Sequence, residues 1–425
     1  MPAKALAHLR LLRNDPEQFG RNLLQFTNPA LYEARLIDLL EQPPLHVAVA
    51  PGLLPSLNVI QPVVSPEAMT GGPNTIVLFA ALVAECGVPV RITTTRRGHR
   101  HDPVWFNGHV ARLLGRPAPS GLQVVAAAEA EAATVGAQDL WLATHWTTAQ
   151  GLAPVLPRMT RDWFLYLVQD FEPGFYAWSS NYALALETYG MPHRAAINEG
   201  FLAEYLRTQG PGLYADPDFV DARCQVFEPA VDRRIFHPPA APRAGGARRL
   251  LFYARPTITN MRNLLGLGVQ ALRQAIGDGV FEGEWEFHAI GSRGSLPPLS
   301  LGGGRMLHPA PWAGYDGYAE TLRQADILLC PMLSPHTSYP VLEMAACGGV
   351  AVTNTFGPKT AAALAALSPD IIGVAPTPRG FAEGLRAAVA RAGQPRQDRL
   401  TLPADWDAVL RPVAQWAAAA VRETG

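Results

Sequence analysis

The chain has 425 residues, 35 Lys and Arg against 36 Asp and Glu, a formal net charge of −1 and 48% hydrophobic residues. That length can bury two separate cores, and the near-neutral balance excludes a nucleic-acid binder that relies on bulk positive charge. Cys86, Cys224, Cys330 and Cys347 have neither metal-ligand spacing nor a disulfide framework, which points to a reducing cytoplasm. Lys4, Arg10 and Arg13 stand too close together for the apolar region of a signal peptide. No run reaches the roughly 18–20 apolar residues that a spanning helix needs.

Residues 1–44 read as a helical extension, with Leu6, Leu9 and Leu12 and then Leu36, Leu39 and Leu40 forming an apolar face that suits a packed cap first, with an oligomer contact or a membrane-surface helix as the alternatives. A strand–helix alternation starts at Leu45–Ala50. A long loop, Pro51–Thr70, ends in Gly71-Gly72-Pro73-Asn74 before a helix over Thr75–Cys86. The Gly71-Gly72 pair at a loop-to-helix junction lets the backbone approach a ligand closely, although it lacks the spaced glycines of a dinucleotide site. Strands follow at Val90–Thr94, Gln123–Ala126, Leu140–Thr144, Phe164–Val168, Ala195–Ile197 and Gln225–Phe227. Short apolar runs separated by helical periods predict a parallel sheet covered on both faces. Ligands of such sheets gather at the carboxyl ends of the strands, which brings His145, Asp170, Glu172 and Glu199 toward one crevice.

The segment Phe227–Pro238, followed by the Pro- and Gly-rich stretch up to Arg248, reads as a domain boundary. A second series begins with a strand at Arg249–Ala254 and a helix at Met261–Ala275, then strands at Glu284–Ile290, Met306–His308 and Ile327–Met332. The helix beginning at Pro340, the strand from Val350, the helix Thr360–Leu367, the strand Ile371–Val374 and the helix Gly380–Arg391 complete it. A last helix, from Asp405 to about Val421, carries Trp406, Val409, Leu410, Val413 and Trp416 on one stripe. The resulting division is an extension over 1–44, an α/β domain over 45–235, a second over 236–402, and a closing helix over 403–425.

The stretch Ser334–Lys359 is the focus of the second series. Pro340 suits the first position of a helix, and Gly348-Gly349 stop it. The Ser338–Tyr339 backbone then faces a ligand as the helix N-terminus, where free N–H groups favour an anion, and Glu343 projects a carboxylate one turn later. A phosphate beside a hydroxyl-bearing sugar fits that pattern.

Two such domains joined by Val231-Asp232 and Phe236-x-Pro238 resemble the GT-B glycosyltransferases, in particular the large retaining group that uses nucleotide-sugar donors. Further motifs are Phe252-Tyr-Ala-Arg-Pro256 with Thr259-Asn-Met-Arg-Asn263, the run Leu333–Gly348, Val168-Gln-Asp-Phe-Glu-Pro173 and Thr353–Thr360. These are similar to the dTDP-rhamnose-dependent rhamnosyltransferases of bacterial surface-polysaccharide synthesis, such as that of S-layer glycans and O-antigen. The resemblance implies two doubly wound Rossmann-like domains facing across a cleft, the second binding the donor, with the C-terminal helix crossing back. The broad group carries two glutamates eight positions apart in the loop and helix; the later one matches Glu343, and Pro335 stands at the earlier position.

On that reading the departing diphosphate is stabilised without a metal or cofactor. Arg255 is the main phosphate contact, and Arg262, Lys359 and the Ser338–Tyr339 backbone are further donors. Glu343 holds the nucleoside sugar, and Trp312 and Tyr315 lie where the base would stack. On the acceptor side, Asp170, Glu172 and His145 would orient or deprotonate a hydroxyl of a saccharide or lipid-linked glycan, next to Gly71 and Gly72. The resemblance implies retention of configuration and work at the inner face of the cytoplasmic membrane. The alternatives are a single-sheet glycosyltransferase with a metal on Asp170 and Glu172, a catalytically silent sugar-nucleotide-binding partner subunit, and a sugar-nucleotide epimerase on the two-domain fold.

Overall fold

In the computed structural model the described residues are 19–20, 23, 27–28, 45–66, 68–69, 71–96, 101–127, 132–241, 245–256, 261–292 and 297–423. Most of the helix expected over residues 1–44, and Thr259 of the second-domain motif, lie outside them. Leu45–Gly425 is one compact unit, distinct from Met1–Pro44.

The first series comprises β1 (Val47–Ala50), β2 (Leu57–Ile60), β3 (Val90–Thr94), β4 (Leu122–Ala126), β5 (Ala133–Gly136), β6 (Leu140–Ala143), β7 (Phe164–Val168), β8 (His193–Asn198) and β9 (Cys224–Phe227). Seven of them form a parallel sheet of order β4-β3-β2-β6-β7-β8-β9, while β1 and β5 pair in a separate two-stranded ribbon. The second series is β10 (Arg248–Tyr253), β11 (Trp285–Ile290), β12 (Leu299–Gly302), β13 (Arg305–Pro309), β14 (Ile327–Cys330), β15 (Val350–Asn354) and β16 (Ile371–Val374). Its order is β12-β13-β11-β10-β14-β15-β16, parallel except for the β12–β13 edge. Each order reverses direction beside its first strand, which opens a crevice at the carboxyl ends of the strands. Two sheets replace the single sheet of the metal-dependent alternative.

Apolar clusters cover both faces of each sheet. Helix Gly71–Glu85 is apolar nearly all round because it lies between the first sheet and helix Trp406–Arg422, whose Leu410, Val413, Ala414, Ala417 and Val421 join the same cluster. The closing helix therefore crosses back onto the first half. Arg116 and Arg411, each shared between Glu85 and Asp407, pin its start, and Arg161 donates to the Val421 carbonyl near its end at 2.9 Å.

Several expected boundaries moved. Leu57–Ile60, assigned to a loop, is an inner strand of the first sheet, and Leu45–Ala50 supplies only the side ribbon. Asn58 obscured the strand: its amide donates to Asp139 at 2.9 Å, and Asp139 also accepts Arg91 at 2.8 Å and the Ser56 and Gly136 N–H groups at 2.9 Å each. That network joins residues 81 and 83 positions apart, which no local pattern reveals. The edge strand β12 was missed because its Gly302-Gly303-Gly304 turn, at φ of 84°, 56° and 74°, reads as loop. The first helix begins at Gly71 instead of Thr75, so both glycines lie in its first turn.

Candidate active site

The carboxyl ends of β6, β7 and β8 carry the polar residues expected on the acceptor side. His145 caps helix Trp146–Leu152, its Nδ1 accepting the Thr147 N–H at 3.3 Å, and its ring stacks on Phe175 at 6.1 Å. Burial, then the nearby Arg262 charge, pulls its pKa down to about 4. Glu172 faces the same helix tip: its Oε2 accepts the Trp146 N–H at 2.5 Å and the Tyr166 hydroxyl at 3.1 Å, and burial pushes its pKa up to about 8. Asp170 points the other way, across to the second half, where it pairs with Arg262 and accepts the Ser334 hydroxyl. Asp170 and Glu172 thus have separate partners, and among the described residues no group of three or more His, Cys, Asp or Glu is placed to hold a metal.

In the second half, Gly348 ends helix Tyr339–Ala346 at φ 68°, and a Cβ there would meet Arg396 and the Gln397 backbone at 2.8 Å. The loop before the helix is held from below by Lys359, fully buried, whose ammonium donates to the Met332 and His336 carbonyls at 3.2 Å each. Burial lowers the Lys359 pKa to about 8, against the opposing charge of Glu199. Arg262 lies over the Phe175 ring at 4.4 Å, and burial lowers its pKa to about 10.

Arg255, half-buried, lies 5.9 Å from the Tyr253 ring centre. Burial raises the Tyr253 pKa; the Arg255 guanidinium beside it counters this, and the Glu343 charge adds to it. Glu343 accepts the Tyr318 hydroxyl at 3.0 Å, and burial pushes its pKa up to about 7. It lines a cavity between the halves together with Gly71, Asn74, Tyr315, Tyr339 and Trp406. The Tyr339 hydroxyl accepts the Asn198 amide at 2.5 Å, and the carbonyl of Gly72 meets the Gln169 amide at 3.5 Å.

The fold thus gathers Gly71, Gly72, Asp170, Arg262, Ser338, Tyr339, Glu343 and Lys359 around one interface, with Arg255 beside Tyr253 in the second half. Glu172 is turned into the first half. Trp312 stands exposed on the loop before helix Tyr315–Arg323, and Tyr315 packs edge-on against Phe236 at 5.4 Å.

The anion site expected at the tip of helix Tyr339–Ala346 is engaged within the chain. The N–H groups of His336, Thr337 and Ser338 donate to Ser334 Oγ at 3.0 Å, Glu199 Oε1 at 2.6 Å and His336 Nδ1 at 2.9 Å. Glu199 reaches the tip from the opposite half. Sequence reading placed it near the crevice but gave no sign of this contact, nor of His336, Asn198, Gln169 and Tyr318 as site residues.

The model of the WsaF N-terminal domain matches residues 56–198, and that of the WsaF C-terminal domain matches residues 248–386. The chain carries both WsaF domains. They correspond to the two sheets just described. The O-antigen biosynthesis protein RfbC of Myxococcus xanthus is 36% identical over 267 residues, covering 61% of this chain and 19% of the relative. The chain therefore spans about a fifth of that relative's length. Among solved structures, sucrose-phosphate synthase from Thermosynechococcus elongatus superposes with a TM-score of 0.54 at 12% identity, over 86% of this chain and 99% of its own. The glycosyltransferase WaaG, involved in lipopolysaccharide biosynthesis, gives 0.51 at 13% identity, over 87% and 100%. The UDP-forming trehalose-phosphate synthase of Burkholderia vietnamiensis gives 0.52 at 12% identity, over 87% and 100%. At these identities the likeness speaks for the fold: the WsaF domains have the GT-B architecture.

Proposed function

We propose that the chain is a glycosyltransferase of polysaccharide synthesis that moves a sugar from a nucleotide-sugar donor, dTDP-rhamnose, to a saccharide or lipid-linked glycan acceptor. The observation that carries this reading is the cavity between the halves, with Glu343 on one wall, the Gly71 helix turn on the other and Arg255 beside Tyr253. The nucleoside sugar hydroxyl donates to the Glu343 carboxylate. The guanidinium of Arg255 offers two parallel donors to diphosphate oxygens as they gain charge. Gly71 brings the backbone of the helix turn to the first-half wall, where a Cβ would meet the Tyr339 ring at 3.7 Å. Lys359 acts through the loop it supports and is a positioning residue.

Transfer proceeds without a metal ion and with retention: the acceptor hydroxyl attacks the anomeric carbon from the face the diphosphate leaves, the carbon–oxygen bond to the diphosphate breaks, and an oxygen of that diphosphate takes the hydroxyl proton. The WsaF domains and the RfbC relative support the polysaccharide setting. The enzyme works in the cytoplasm, at the inner membrane face where lipid-linked acceptors lie; among the described residues no helix is long and apolar enough to cross a membrane.

Incubation with dTDP-rhamnose and a rhamnose-ended acceptor, with and without EDTA, tests the proposal. Acceptor-dependent release of dTDP that survives EDTA is expected. Release abolished by EDTA overturns the metal-free mechanism, and donor conversion without acceptor indicates an epimerase. Binding without turnover indicates a silent partner subunit. A thermal-shift panel of dTDP-, UDP- and GDP-sugars ranks the donor, since a bound ligand raises the midpoint by mass action.

A further inference from the structure

Glu199 and Ser338 are the two non-glycine residues at positive φ among the described residues, at 80° and 81°, and they face one another across the two halves. Backbone held in that region is found where the surroundings impose it, commonly at ligand sites. Both Glu199 and its neighbours are buried: Glu199 is 2% exposed, Asn198 0% and His336 6%. Glu199 Oε1 accepts the Thr337 N–H at 2.6 Å and the Thr337 hydroxyl at 2.8 Å. Its Oε2 lies 4.0 Å from His336 Nε2, too far for a hydrogen bond.

At this interface His336 Nε2, Asn198 Oδ1 and Gln169 Oε1 are buried without a partner, and Arg262 Nε and Nη1 make no hydrogen bond either. Buried polar groups are ordinarily satisfied, so a cluster of unsatisfied ones calls for an absent partner. Its chemistry can be read off the atoms. His336 Nδ1 accepts the Ser338 N–H, so the proton of the neutral ring is on Nε2, which is a donor without an acceptor. Asn198 donates through its amide to Tyr339, leaving its carbonyl as an acceptor without a donor. Gln169, one residue past the last β7–β8 pair at Val168 and Ile197, adds a second such acceptor.

An ionised phosphate oxygen cannot donate to these acceptors. A hydroxyl group donates and accepts at once, and it can lie about 2.8 Å from both Glu199 Oε2 and His336 Nε2. No residue between Leu333 and Pro340 supplies a carboxylate of its own. We propose that Glu199, His336 and Asn198 bind hydroxyls of the donor's transferred sugar and that Glu199, reaching over from the acceptor half, is a specificity-determining residue. This rests on the glycosyltransferase reading above.

The test compares dTDP with dTDP-rhamnose and dTDP-glucose by calorimetry in the wild type, Glu199→Gln and Glu199→Gly. At pH 9, where Glu199 is ionised, loss of a charge-assisted hydrogen bond should weaken the sugar nucleotides by roughly tenfold or more, with dTDP held within about twofold. Glu199→Gly relieves the backbone strain but leaves the Thr337 N–H without its acceptor, so it should lose the same sugar increment and some stability, while Glu199→Gln keeps an acceptor and separates the sugar effect from any loss of fold. Equal weakening of dTDP and its sugars, or no change in either, overturns the proposal while leaving the transferase reading intact. Failure of the wild type to bind any of the three overturns both.

Discussion

Glu343→Gln should stabilise the free protein and disable it, in a pH-dependent way. Burial raises the Glu343 pKa from 4.5 to about 7. A carboxyl whose folded pKa is raised favours folding below the unfolded value. That contribution is lost as pH climbs from about 4.5 through 7, because the native state must then hold a poorly solvated charge. A rise of this size corresponds to roughly 3 kcal/mol. Glutamine has the same shape, still accepts the Tyr318 hydroxyl and never ionises. At pH 8.5 the variant should therefore be more stable than wild type by up to about 3 kcal/mol, a shift of a few degrees at this chain length. At pH 5 the two should coincide.

Nucleotide binding should move the opposite way. A hydroxyl donating to a carboxylate contributes roughly 1.5–3 kcal/mol, so the Kd for dTDP should rise about ten- to 150-fold at pH 8. Wild-type affinity should increase with pH through 7, as the carboxylate forms, and the variant's should stay flat. Scanning calorimetry at the two pH values and titration with dTDP provide the readouts. Refutation would be a variant that melts lower at pH 8.5, or one that binds dTDP as tightly as wild type.

Arg255→Ala should slow transfer by about tenfold to a few hundredfold with little change in the melting midpoint, as a half-buried group whose work is in the transition state; steady-state kinetics beside a melt checks it. Arg262 should behave in reverse order of severity. Arg262→Met leaves Asp170 buried without its charge and should cost about 3–5 kcal/mol, much of it recovered by adding Asp170→Asn, as a double-mutant cycle in urea would reveal. Stability should peak at about pH 5–6.5. Glu172 and Glu199, raised by burial to about 8, lose their contribution as pH rises. His145 and His193, lowered by burial to about 4, and His336, to about 3, lose theirs as pH falls from 6.5. A midpoint that climbs steadily to pH 9 would contradict this.

The βα alternation was legible because each inner strand is short, apolar and bounded by turn residues; Phe164–Val168 and Ile371–Val374 stand where the pattern put them. Leu57–Ile60 was not, because the carboxylate that satisfies its buried Asn58 comes from Asp139, beyond the reach of any periodicity. The site follows the same rule. Glu343 and its helix follow from Pro340 and the paired glycines, which are local signals. The partner of each charged group is not local: Asp170 meets Arg262 and Ser334, Glu199 meets Thr337, and Asn198 meets Tyr339.

These pairings bear on how the halves must work together. Of the donors expected at the tip of helix Tyr339–Ala346, the Ser338 N–H is given to His336 Nδ1, and the Thr337 N–H just before it is given to a carboxylate from the other half. A diphosphate that used those N–H groups would have to displace Glu199. One that used Arg255, which lies beside Tyr253 and away from that tip contact, would not. On the reading proposed above, the labour expected of the loop is divided. Arg255 and Glu343 meet the nucleotide, while the loop, braced by Lys359 and closed by Glu199, presents hydroxyl-binding atoms to whatever the nucleotide carries. Donor recognition on this arrangement requires both halves at once, so a nucleotide should bind with the halves apart and its sugar be read only as they close.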